Sequence, residues 1–115
     1  MKLLRDVASK HFRANFDCAH FQAQKEFVPV AQEKLKGLYA NVHVADNDSL
    51  TIKHLSFGKG VIPWDEVLRN FHRHGYRGYL GVDIFGPSGT MPAVYRRSIQ
   101  WLIAAGKRLR IPITA

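Results

Sequence analysis

Apolar and polar residues alternate in three short stretches of the chain, and segments with helical spacing separate them. In "HFRANFD", Phe12, Ala14 and Phe16 take one parity and Arg13, Asn15 and Asp17 the other. In "ANVHVAD", Val42 and Val44 oppose Asn41, His43 and Ala45, and in "GYLGVDIF", Leu80, Val82 and Ile84 oppose Tyr79, Gly81 and Asp83. A period of two sends successive side chains to opposite faces of a strand, so strands are predicted over 12–17, 40–46 and 78–85. Residues 2–9 read as the end of a helix. Residues 27–37 read as a helix closed by Gly37, the residue type that enters the left-handed C-terminal conformation without strain. Residues 63–74 begin with Pro63, carry Asp65 and Glu66 in the first turn and stop before Gly75, with Val67, Leu68 and Phe71 as the apolar stripe. A last helix is predicted from near Thr90 and Pro92 to about Lys107, burying Val94, Trp101, Leu102 and Ala105.

Strands separated by helices imply parallel pairing through right-handed crossovers. Parity then decides between two parallel architectures. A doubly wound sheet buries both faces and needs strands that are apolar throughout. Here one face is apolar and the other turns polar toward each strand's C-terminal end, as at the top of a β/α barrel. The expected fold is α/β: a partial (β/α) TIM barrel of about three parallel strands alternating with helices, forming one domain over residues 1–115. A whole barrel of this kind needs roughly 200 residues or more, so two sheet edges are expected to stay open.

Composition narrows the setting. The chain has 115 residues, 46% of them hydrophobic, which allows one real core and is too little for two. No apolar run has the length of a membrane span, and the first residues lack the apolar stretch and small-residue site of a secretory leader. The single cysteine excludes an internal disulfide, and a reducing cytoplasm is the expected location. A formal charge of +8 favours polyanions, but the basic residues are scattered outside 69–77 and 107–110, which fits a solvated basic surface.

Asp17, His43 and Asp83 fall on the polar parity at or near the ends of the three strands, and parallel alignment brings them to one rim. Two carboxylates and an imidazole form a mixed oxygen and nitrogen set suited to Mn²⁺, Co²⁺, Zn²⁺ or Mg²⁺. A divalent cation is therefore the expected cofactor.

"NFDCAH", "NVHVADND", "KHLSFGKGVIPWDEV" and "GYRGYLGVDIFG", in this order and spacing, resemble the last three strands of the xylose-isomerase-like barrel superfamily. That group holds sugar isomerases, sugar and sugar-phosphate epimerases, inosose dehydratases and the endonuclease IV branch of DNA repair. The resemblance covers roughly residues 3–105. It implies that Asp17 and His43 bind metal, that Asp83 stands where relatives commonly carry a ligating Glu, and that His20 and His54 contact substrate or, in two-metal relatives, a second metal. It also implies that Asp83 and His20 are catalytic, Asp83 as one of two carboxylates moving a proton beside a sugar carbonyl. The family's fifth-strand Glu has no counterpart here.

The function expected is that of a divalent-metal-dependent sugar or sugar-phosphate isomerase or epimerase, incomplete as a lone chain. A homo-oligomer, such as a dimer, or a complementing chain is expected as partner. The alternatives are a non-catalytic barrel remnant or binding module, and an endonuclease IV-like nucleic-acid binder. Against the last, that branch carries an Asp two residues before the loop His, where this chain has Ile52. Other groups have plainer readings. Asp46, Asn47 and Asp48 suit turn chemistry, and Gly58–Gly60 suits a loop approaching the site. Trp64 and Trp101 suit packing, and Cys18 has no adjacent base. His72 and His74 suit a solvated helix end.

Overall fold

The computed structural model describes residues 1–115. Its order is α1 (Lys2–Val7), β1 (Ala14–Asp17), α2 (Cys18–Ala23), α3 (Val28–Lys34), β2 (Tyr39–Val44), α4 (Trp64–Arg73), β3 (Leu80–Val82) and α5 (Met91–Leu109), with a 3₁₀ turn over Ser88–Thr90. The three strands form one parallel sheet in sequence order, β1-β2-β3. Phe16, Val42 and Leu80 lie in one cross-strand row and Asp17, His43 and Gly81 in the next. The predicted parity therefore aligns across the sheet, apolar row beside polar row.

The helices cover the apolar face. Phe16, Val42, Val44, Val67, Leu68 and Phe71 are buried in a single cluster, and the Phe71 ring meets Phe16 edge-on at 5.4 Å. Gln32 donates to the Val67 carbonyl at 2.9 Å and accepts from Asn70 at 3.2 Å, so a buried amide ties α3 to α4 with both ends satisfied. Phe57, in the loop after β2, stacks on Trp101 at 4.5 Å and meets Trp64 edge-on at 4.8 Å, which confirms packing roles for both tryptophans. The opposite, concave face has no second layer. Asn15, Asn41 and Tyr79 are exposed on it.

Four local features differ from expectation. β1 begins at Ala14, leaving Phe12 outside the strand and 39% exposed. β3 is only three residues long and pairs with β2 alone. The segment after Asp17, to which the sequence pattern assigned no element, is a helix, capped by the Asp17 carboxylate accepting from the His20 N–H at 3.1 Å. His74 is not solvated: its ring is 1% exposed, with Nε2 2.9 Å from Glu33 and Nδ1 3.3 Å from the Tyr39 hydroxyl. Nε2 donates to the carboxylate, and in the neutral ring Nδ1 accepts from tyrosine. Burial pushes the Tyr39 hydroxyl up to about 12.

Candidate metal centre at the strand ends

Direct cross-strand pairing sets Asp17 beside His43, and His43 beside Gly81. A methyl group on Gly81 would sit 3.3 Å from His43 Cδ2, so the bare glycine leaves the imidazole its place over β3. One residue past β3, the Asp83 N–H still donates to the Val44 carbonyl at 3.1 Å, which holds its side chain at the same rim. His43 Nδ1 lies 3.5 Å from Asp17 Oδ2 and 3.6 Å from Asp83 Oδ2. One donor atom from each residue lies within 4.8 Å of the others. Two donors sharing one ion at ~2.1 Å sit roughly 3–3.4 Å apart, so both His43–carboxylate separations lie within tenths of an ångström of that spacing. Carboxylate, imidazole and carboxylate also suit such an ion chemically.

A second group adjoins the first. Donor atoms of Asp17, His20 and His54 also lie within 4.8 Å of one another, with Asp17 common to both groups. His20 is exposed on α2, whereas His54 is 3% exposed. His54 Nδ1 is 2.7 Å from the Asp83 main-chain oxygen and 3.3 Å from its Oδ2. A carbonyl only accepts, so Nδ1 carries the hydrogen, and in the neutral ring Nε2 keeps a lone pair. His54 thus stands behind Asp83 and steadies it. Phe85 stacks on the His54 ring at 4.5 Å and an interplanar angle of 16°, with 66% of its own surface exposed.

The loop that delivers His54 is built on Asp46. Its buried carboxylate accepts from the N–H groups of Asn47 at 2.9 Å, Gly58 at 2.9 Å and Ile62 at 3.2 Å, while Asp46 and Leu55 exchange backbone bonds. Asn47 donates to the carbonyls of Thr51 and Lys53. The N–H groups of Leu50 and Thr51 hold the Asp48 carboxyl below its ordinary range. These three residues are loop structure, as their turn chemistry suggested. Gly60 has a different role from the one expected: a Cβ there would fall 2.3 Å from the Asn47 carbonyl oxygen, so the close approach is to the Asn47 backbone and the Asp46 carboxylate and not to the rim, whereas Gly58 takes a positive φ of 82° with open space around it.

All five sequence-derived candidates gather at one end of the sheet, with Asp17, His43 and Asp83 as one group and His20 and His54 beside it. Sequence reasoning missed three neighbours. Gly81 and Asn15 lie on the polar parity, which was the available signal, and Asn15 Nδ2 is 3.5 Å from His43 Nδ1. Phe85 shares the parity of Asp83, but only the fold of a distant loop brings His54 against its ring. Cys18 is buried, and burial first, then the Asp17 charge, raises its thiol well above the usual range.

A family model for the xylose isomerase-like TIM barrel matches residues 1–105. Fructoselysine 3-epimerase of Escherichia coli O157:H7 is 30% identical over 80 residues, covering 70% of this chain and 29% of that protein. Among solved structures, a D-tagatose 3-epimerase-like protein superposes with a TM-score of 0.80 at 24% identity, over 94% of this chain and 40% of that one. A xylose isomerase domain protein from Planctomyces limnophilus gives 0.82 at 17% identity, over 95% and 43%. The chain therefore spans less than a third of the curated relative and about two fifths of each solved chain. At these identities the two superpositions establish the fold.

Proposed function

Because the chain belongs to the xylose isomerase-like TIM-barrel family, we propose that it carries one side of a divalent-metal site for isomerising or epimerising a sugar or sugar phosphate beside its carbonyl. The observation that carries this reading is the convergence of Asp17, His43 and Asp83 at the strand ends, with His43 Nδ1 3.5 and 3.6 Å from the two carboxylates. Asp17, His43 and Asp83 would hold the ion, and a bound divalent cation supplies a Lewis acid for carbonyl and hydroxyl oxygens.

The chain's own residues have distinct tasks. Asp17 uses Oδ1 to cap α2 and presents Oδ2 to His43, so helix start and ligand position are coupled through one carboxylate. Asp83, with 29% of its side chain exposed, is accessible enough to take a proton from a substrate carbon. His54 fixes its direction. His20, exposed at the start of α2, is placed to hydrogen-bond a sugar hydroxyl. The epimerase named among the relatives supports this class of chemistry. The reaction needs a second carboxylate across the substrate, and that group comes from strands outside this sheet.

Calorimetric titration with Mn²⁺ tests the reading. One site is expected, weakened about tenfold or more by His43→Ala, the loss typical of altered metal environments. Binding indifferent to that substitution removes the proposal. Turnover of a ketose and aldose panel by the assembled protein tests the chemistry, and metal-dependent cleavage of abasic DNA in its place would transfer the site to the repair branch.

A further inference from the structure

We infer that the cleft between the C-terminal halves of α4 and α5 binds a phosphate group, free or carried by a small molecule, at a site separate from the metal rim. The charge of the chain is unevenly placed. Residues 67–115 carry eight Lys and Arg against a single acid, Asp83, and so hold +7 of the net +8. Arg69, His72 and Arg73 come from one basic cluster of the sequence and Arg110 from the other, and the fold brings all four to one cleft of about 370 Å³. Glu66 is the only acid on its walls, and both walls belong to this chain. Crossover helices run antiparallel to their strands, so these helix ends lie at the opposite end of the sheet from Asp17, His43 and Asp83.

Basic side chains near a helix C-terminus ordinarily serve its last carbonyls. Here backbone N–H groups already occupy them. In α4, Asn70, His72 and Phe71 accept from His74, Gly75 and Tyr76, and in α5 Gly106 accepts from Ile111 at 2.8 Å and Lys107 from Arg110 at 3.3 Å. The Arg108 guanidinium is committed to Asp65 at 2.6 and 2.8 Å, which ties α4 to the end of α5. Arg73 donates to Glu33 and, at 3.0 Å, to the buried Asn70. Arg69 and Arg110 have no partner in the chain, so their donors are free for a ligand. Arg110 also takes φ 58° and ψ 41°, the left-handed cap conformation that glycine enters without strain, and presents a guanidinium there instead. Three guanidiniums against the carboxylates of Glu66 and Glu33 leave a small positive excess, which suits one phosphate group of about −1.5 to −2 at neutral pH. Guanidinium forks match its oxygens in geometry. A nucleic-acid strand needs a continuous basic track, whereas Arg96 and Arg97 stand about 20 Å back along α5.

Titration of the metal-free protein, followed by NMR and calorimetry, tests the inference. Inorganic phosphate and glycerol 3-phosphate should shift the amides of residues 69–73 and 106–111, and acetate at the same ionic strength should not. Tighter binding of the ester assigns the site to a phosphorylated small molecule, and equal binding assigns it to free phosphate. Arg110→Gly removes a guanidinium and puts glycine at the left-handed position. It should melt at or above the temperature of the parent yet bind phosphate about tenfold more weakly, the worth of one charged hydrogen bond. Arg69→Gln should weaken binding to a similar degree. Arg96→Gln removes the same charge outside the cleft and should leave binding unchanged. An equal loss in Arg96→Gln, no shift at millimolar phosphate, an equal response to acetate, or saturation only by single-stranded DNA overturns the inference. His43→Ala separates this site from the metal reading. It should bind phosphate as the parent does, and phosphate binding lost with it would place the anion at the rim and overturn the cleft.

Discussion

Asp17, Gly81 and His54 each act at the rim through a neighbour as much as directly. Gly81→Ala brings a methyl group to 3.3 Å from His43 Cδ2, so the ring must shift by tenths of an ångström. The expected outcome is Mn²⁺ affinity lowered about tenfold with little change in melting temperature, the signature of a displaced ligand rather than a broken core. Away from the rim, hydrogen bonds from His74 and then Arg73 hold the Glu33 carboxyl below its ordinary 4.5. A depressed folded-state value stabilises the fold above the ordinary range and is lost as pH falls through the folded value. Glu33→Gln should therefore melt below the parent protein at neutral pH, and the gap should close in acid. A gap that persists in acid would mean that the network contributes by packing alone. The raised Cys18 thiol predicts negligible alkylation of the native chain and rapid alkylation after denaturation.

At the scale of elements, the loop from Asp46 to Ile62 behaves as a structured arm. Removing the Asp46 carboxylate leaves three backbone N–H donors, those of Asn47, Gly58 and Ile62, without their acceptor. A buried orphaned donor costs about 1–3 kcal/mol, so Asp46→Ala should lower unfolding free energy by at least ~2 kcal/mol in denaturant titration. The same substitution should release His54 from Asp83, visible as a change in the His54 ring resonances, because Asp46 also pairs with Leu55 beside it. Helix α2 shows how the elements interlock. The carboxylate that ends β1 also starts the next helix, so the chain turns at the rim with no intervening loop.

At the scale of the whole molecule, burial falls almost entirely on one side of the sheet. Only 28 of 115 residues are buried, and the larger apolar cluster holds 16 of them, so one large side chain is a substantial part of the core. Phe71 contacts Phe16, Tyr39 and Tyr76. Truncating a buried phenylalanine typically costs ~3–5 kcal/mol, comparable to the total stability of a small domain, so Phe71→Ala should leave the isolated chain largely unfolded by circular dichroism at ambient temperature. Retention of a cooperative, native-like melt would show that stability resides elsewhere. No helix is long and apolar enough to cross a membrane.

Alternation determined that strands form around Ala14–Asp17, Tyr39–Val44 and Leu80–Val82 and on which face Asp17, His43 and Asp83 stand, because side-chain direction along a strand follows position alone. The intervening helices determined the parallel order; where the strands end, with Phe12 and Phe85 outside them, was decided by pairing. Capping and breaker residues determined α4 in the same local way. Tertiary structure decided what depends on contacts between distant residues. His74 is buried only because α3 and β2 bring Glu33 and Tyr39 to it. Phe85 reaches His54 only because Asp46 folds the intervening arm. Gly81 matters only because strand register sets it against His43. A local pattern fixes which way a side chain points, but what it meets there depends on register, loop closure and helix packing, and none of these is encoded within a few residues of the site.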